Sequence, residues 1–237
     1  MSTPEPEPLR IEIAPDESVT ALIYPASSVD RAGVTLILGH GAGADQTSAF
    51  MVSVATALAA RGHDVVTFNF RYTERRGRLP DPNPRLEACY RSVIEAMRRH
   101  PPLERNALAI GGKSMGGRIA SQVAAAGVGA LAGLVLLGYP LHPPGKPDRL
   151  RSKHLPAIAA PLLFVQGEQD SFGTPDELRP ILRSLTVPVE LYVVAGGDHS
   201  FKVPKRAGVA QSDVDAAIQE RIDRWLRSNL IASGGGR

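Results

Sequence analysis

From residue 33 onward, short and almost wholly apolar runs alternate with segments of helical periodicity. Val34–Gly39 reads VTLILG, the unbroken apolar pattern of a strand covered on both faces of a parallel sheet. Phe50, Met51, Val54 and Leu58 then recur at helical spacing, closed by Arg61-Gly62. VVTFNF at 65–70 is the next strand, and the arginine-dense 71–78 reads as a loop. Asn83 as cap and Pro84 at the first helical position open a helix with Leu86, Tyr90, Val93 and Met97 inward, stopped at Pro101-Pro102. LAIGG, a helix through Ile119 and Val123, and LAGLVLLG repeat the unit. PLLFVQG (161–167) is followed by a capping box at Thr174–Glu177, and VPVELYVV by a last helix with Val214, Ile218, Ile222, Trp225 and Leu226 in one stripe.

Strands alternating with helices predict an α/β fold, a mostly parallel central sheet with helices on both faces and right-handed crossovers. Two earlier runs, Leu9–Ile13 and Thr20–Tyr24, fit an antiparallel pair at one edge. No composition break divides the chain, so one domain is expected over 9–230, with a disordered N-terminus at 1–8 and a flexible tail at 231–237. In such folds ligands gather at the C-terminal ends of the strands, which singles out the loops that follow them.

Those loops carry the chemistry. Ser114 follows LAIGG, Asp170 follows PLLFVQG, and His199 follows VPVELYVV. A hydroxyl, a carboxylate and an imidazole thus meet one sheet edge in the chain order Ser, Asp, His. Serine is a poor nucleophile at neutral pH and needs a base in reach, and a carboxylate must fix that base's tautomer. The segment GGKSMGGR (111–118) also invites comparison with a phosphate loop, but the position five before Gly112 is Ala107, inside a strand-like run. Gly112 and Gly116, two before and two after Ser114, instead match a strand-to-helix nucleophile elbow. GHGAGA (39–44) fits a relaxed dinucleotide fingerprint, yet the next strand ends in Phe-Asn-Phe with no acid for a ribose. Glu168 and Asp198 compete with Asp170 for the orienting role.

Composition narrows the function classes. Hydrophobic content of 43% with 22% charged residues and a net charge of +3 describes an ordinary globular protein, and nothing resembles a nucleic-acid reading motif. The single cysteine, Cys89, forbids an internal disulfide and suits a reducing compartment. The N-terminus lacks the basic and apolar regions of a secretory signal, and no run reaches membrane-spanning length, so a cytoplasmic location is expected, without membrane or nucleic-acid partners.

From about residue 33 to 230 the chain resembles the α/β-hydrolase superfamily, of the compact dienelactone-hydrolase-like kind. GKSMGGR in particular is similar to the predicted hydrolases related to testis-expressed and NSL-complex subunits. The resemblance implies Ser114 as nucleophile, Asp170 as orienter and His199, in GGDHSF, as base, with the amides of Ala42 and Met115 as the oxyanion hole. Serine stands where dienelactone hydrolases carry cysteine, a departure that puts their substrate in doubt for this chain. Only Tyr139–Pro161 lies where a lid is commonly inserted, so no lid domain is expected. The implied activity is cofactor-free and metal-free hydrolysis of a small ester or thioester. Arg71 and Tyr72 are candidate substrate contacts, and the arginines of 71–78 with Lys202, Lys205 and Arg206 predict a preference for small or anionic esters. The rival class is a hydrolase-shaped binding or scaffold protein, since function does not follow from fold.

Overall fold

The computed structural model describes residues 5–27 and 30–234. Eight strands form one sheet in the order β1-β2-β4-β3-β5-β6-β7-β8. They are β1 (Glu7–Ala14), β2 (Glu17–Tyr24), β3 (Val34–Gly39), β4 (Asp64–Phe68), β5 (Ala107–Lys113), β6 (Gly133–Leu137), β7 (Leu162–Gly167) and β8 (Val189–Val194). β1, β2 and β4 pair antiparallel; from β4 to β8 every pairing is parallel. The helices are α1 (Ala49–Ala60), the single turn α2 (Arg71–Glu74), α3 (Asn83–Arg99), α4 (Met115–Ala125), α5 (Pro175–Arg183) and α6 (Gln211–Gly234).

The apolar strands are explained by a core on each face. Ile37, Val66, Phe68, Ile110, Leu134 and Phe164 pack under α3, α4 and α5. Their neighbours in sequence, Leu36, Leu38, Val65, Ala109, Val135 and Val165, pack under α1 and α6. Each fully buried Leu, Ile, Val or Phe contributes roughly 1.5–3 kcal/mol, so both faces must be covered together. Cys89 lies on the buried face of α3, and loss of hydration pushes its thiol up to about 12, which leaves it inert.

Four local details differ from the sequence reading. β1 begins at Glu7, because Glu7 and Pro8 still pair with Ile23 and Leu22, and an edge position tolerates the missing N–H of proline. The first residues of 71–78 coil into α2 after β4 stops at Phe68. Asn83 does not cap α3: Pro82 holds that position, and Asn83 Oδ1 accepts from Arg118 Nη2 at 3.2 Å. α6 runs on to Gly234 through most of the expected tail, while residues 1–4 and 235–237 lie outside the described residues. The capping box at Thr174 and Glu177 is formed as read.

Tyr90 of α3 fixes the centre of the sheet. Its buried hydroxyl accepts from the Gly111 N–H at 3.1 Å and lies 2.9 Å and 2.7 Å from the carbonyls of Ile37 and Gly111. Tyr90→Phe strands those groups away from water, so a loss of about 1–3 kcal/mol is expected in urea denaturation at unchanged m. A variant as stable as the parent would show that the hydroxyl is not needed.

Candidate active site

The site grows from the junction of β5 and α4. Ser114 occupies that one-residue corner with φ 50° and ψ −113°, a backbone state that L-residues avoid and that stores about 1–3 kcal/mol. Its N–H donates to Leu137 O at 2.8 Å, and its carbonyl accepts from Arg118 N at 3.0 Å, so neighbouring elements hold the strained corner on both sides. The flanking glycines are needed for space. A Cβ on Gly112 would sit 2.3 Å from Gly39 O, and one on Gly116 only 2.1 Å from the same atom. The elbow therefore presses directly on the end of β3.

Three loops deliver the sequence-predicted groups to one another. His199 Nε2 lies 2.8 Å from Ser114 Oγ. On the other side of the ring, His199 Nδ1 donates to the Asp170 carboxylate, at 2.9 Å from Oδ1 and 2.8 Å from Oδ2. That bond leaves Nε2 unprotonated in the neutral ring, free to accept the serine proton. The Asp170 side chain is fully buried, while 21% of the His199 side chain remains exposed at the cleft. Asp170 is itself held: Gln166 Nε2 donates to Oδ2 at 2.9 Å and the Phe172 N–H to Oδ1 at 2.8 Å. The competing acids are engaged elsewhere. Glu168 accepts from Gly196 N at 2.7 Å, and Asp198 Oδ1 accepts from Ser200 N and Lys202 N at 2.8 and 2.9 Å.

The loop 39–43 closes over the serine. A Cβ on Gly41 would lie 3.7 Å from Ser114 Cβ, which puts the loop beside the serine. Met115 opens α4, where the first amides have no acceptor within the helix and the helix dipole is positive. His40 anchors this loop. Its Nε2 accepts from Phe70 N at 3.2 Å, so Nδ1 carries the proton and donates to Gly41 O at 2.8 Å. Burial lowers the pKa of this imidazole, which keeps it neutral and structural.

Arg71 and Tyr72, the candidate substrate contacts, are both engaged by other residues of the chain. The guanidinium of Arg71 is bonded through Nε and Nη2 to Glu17 and lies 3.7 Å from Asp81, and Arg75 joins Glu17 at 2.7 Å. Two arginines of the loop thus share one acid on β2, a long-range pairing that local sequence does not reveal. Tyr72 is buried with its ring 6.0 Å from that of His40, edge to face. Sequence reading also missed three contributors: Gln166, Phe172, whose ring stacks 4.2 Å from His199, and Lys113, which donates to the His199 carbonyl. Gln166 is the penultimate residue of β7 and Phe172 sits two residues after the acid, but nothing in their spacing announces a role. Among the described residues, no group of three or more His, Cys, Asp or Glu is gathered as a metal ion would require.

A lidless α/β sheet with such an elbow defines an α/β hydrolase. The chain belongs to the α/β-hydrolase domain family, whose model matches residues 32–227. Among solved structures it is similar to an α/β serine hydrolase without lid from Xanthomonas campestris, at 23% identity and TM-score 0.72 over 93% of this chain and 95% of that one. A dienelactone hydrolase from Anabaena variabilis matches at 18% identity and TM-score 0.73, covering 94% and 97%. Est1E from Butyrivibrio proteoclasticus, solved with ferulic acid bound, matches at 13% and TM-score 0.74, covering 92% and 99%. At these identities the likeness is one of fold.

Proposed function

We propose that this hydrolase is a cofactor-free serine esterase or thioesterase acting through an acyl-enzyme. The observation that carries the reading is the continuous relay from Asp170 to His199 Nδ1, and from Nε2 to Ser114 Oγ at 2.8 Å. As Oγ bonds to the substrate carbonyl carbon, its proton passes to Nε2, and the buried carboxylate stabilises the imidazolium. The carbonyl oxygen, now negative, is received by the amides of Ala42 and Met115; one such donor lowers the barrier by roughly 3–4 kcal/mol in a serine protease. The imidazolium returns the proton to the departing alkoxide or thiolate. Water then repeats the sequence on the acyl-enzyme and frees the acid.

The segment between β6 and β7 holds a single 3-10 turn at Leu155–Ala157 and no helical lid, which supports an open cleft and short acyl chains. The match of GKSMGGR supports a place near the testis-expressed and NSL-complex-related hydrolases. The single buried Cys89, together with the absence of a described helix long and apolar enough to cross a membrane, fits a cytoplasmic enzyme. A fluorophosphonate probe should label the folded protein, with the adduct on Ser114 by peptide mass spectrometry. Failure to label would favour a binding role for the fold. In parallel, kcat/KM should fall from acetate to laurate esters; a maximum at laurate would contradict the open-cleft reading.

A further inference from the structure

The position between Gly112 and Ser114 in the elbow is filled by Lys113, whose side chain crosses from β5 to the loop after β8. Its Nζ donates to the backbone carbonyl of His199. The ammonium lies 4.8 Å from the centroid of the Phe201 ring and 6.0 Å from that of Phe50 on α1, and these two rings pack 5.7 Å apart. Gly138, just beyond β6, forms the opposite wall. A Cβ there would fall 2.7 Å from Lys113 Nζ and 3.6 Å from His199 Cε1, so ammonium and imidazole face each other across a residue that has no room for a side chain.

This lysine is expensive to keep. No carboxylate lies within ion-pair distance of it among the described residues; Asp170, after β7, and Asp198, after β8, act on it only from farther away. Loss of hydration dominates and brings the ammonium down to about 8 in spite of both acids. Methionine has a similar length and would fill the slot between Phe50 and Phe201 without burying a charge. Stability alone therefore does not account for a cation here, but its bond to the base-bearing loop does.

We propose that Lys113 is a positioning residue for the hydrolytic reaction: its ammonium grips the carbonyl of His199 and keeps the imidazole in register with Ser114. The inference rests on the reading of Ser114, His199 and Asp170 as the acyl-transfer machinery. The strength of the grip depends on the charge of its donor. Below about pH 8 the hydrogen bond is charge-assisted, roughly twice as strong as a neutral one; above it, only a neutral amine remains to donate. Turnover should thus decline on the alkaline side in the parent enzyme.

The test is p-nitrophenyl acetate hydrolysis and fluorophosphonate labelling from pH 6 to 10 for the parent, Lys113→Met and Lys113→Arg, with Ser114→Ala as blank. Lys113→Met should lose about 10- to 100-fold in kcat, the scale of a small misplacement, with KM within about twofold. Its Tm should stay level or rise, and its alkaline decline should vanish. Lys113→Arg, which stays charged throughout, should recover part of kcat and also lack that decline. A Met variant with the parent's kcat and pH profile would overturn the proposal, as would one whose Tm falls together with kcat, since that marks a packing role. Turnover that persists in Ser114→Ala would instead overturn the nucleophile reading beneath it.

Discussion

Ser114→Ala is expected to remove esterase activity by a factor on the order of 10⁴–10⁶, judged by what loss of the nucleophile costs in another serine hydrolase. The size follows from the geometry. Ser114 Oγ is the atom that His199 Nε2 meets at 2.8 Å, and among the described residues no second hydroxyl is bonded to that nitrogen. Stability should hold within about 1 kcal/mol, because alanine keeps the Cβ and gives up a single partly exposed hydrogen bond. Ser114→Gly separates the two effects. It should be equally inactive yet more stable than the alanine variant by about 1 kcal/mol, since glycine relieves the φ of 50°. Turnover of p-nitrophenyl acetate and urea denaturation check both. Retention of more than a few per cent of activity in Ser114→Ala would exclude the assignment.

What could be read from the sequence was set by local physics. The apolar strands showed because burial on both faces demands an uninterrupted run, as in VTLILG, and the elbow showed because only glycine fits at Gly112 and Gly116 against Gly39. Ser114, Asp170 and His199 could be placed on one edge because parallel strands all end there, and the structure brings them within 2.9 Å of one another in sequence of contact. The misses are long-range. Nothing near Arg71 reveals that Glu17, on a strand at the antiparallel edge, will take its charge. Nothing near Lys113 reveals that His199, 86 residues later, will offer it a carbonyl. Asn83 was misplaced by one residue for a similar reason: its amide is claimed by Arg118 across the α3–α4 contact, leaving Pro82 at the helix entrance.

Asp170→Asn should lower kcat by about 10⁴, the cost of the matching change in a serine protease, and the surroundings of Asp170 explain why the site cannot adapt. Both carboxylate oxygens already accept from fixed donors, Oδ1 from the Phe172 N–H and Oδ2 from Gln166 Nε2. An asparagine must turn its NH2 toward one of these, setting donor against donor in a buried place. In either orientation the NH2 also faces His199 Nδ1; where it donates there, that nitrogen must give up its proton, Nε2 takes it, and the ring can no longer receive one from Ser114. Either outcome also leaves an unsatisfied buried group, so a stability loss of about 1–3 kcal/mol should accompany the kinetic one. Glu168→Gln and Asp198→Asn provide the contrast. Each native carboxylate only accepts from backbone amides, at Gly196 and at Ser200 and Lys202, and an amide oxygen can do the same. Both should therefore stay within about tenfold of the parent, a limit set by the neutral acceptor's weaker hydrogen bond. The three variants, compared by kcat for p-nitrophenyl acetate at equal folded fraction, decide the matter by rank. If Glu168→Gln or Asp198→Asn proved the more damaging, the orienting role would pass to that residue, and the 2.8 Å contact between Asp170 and His199 would have to be a structural bond alone.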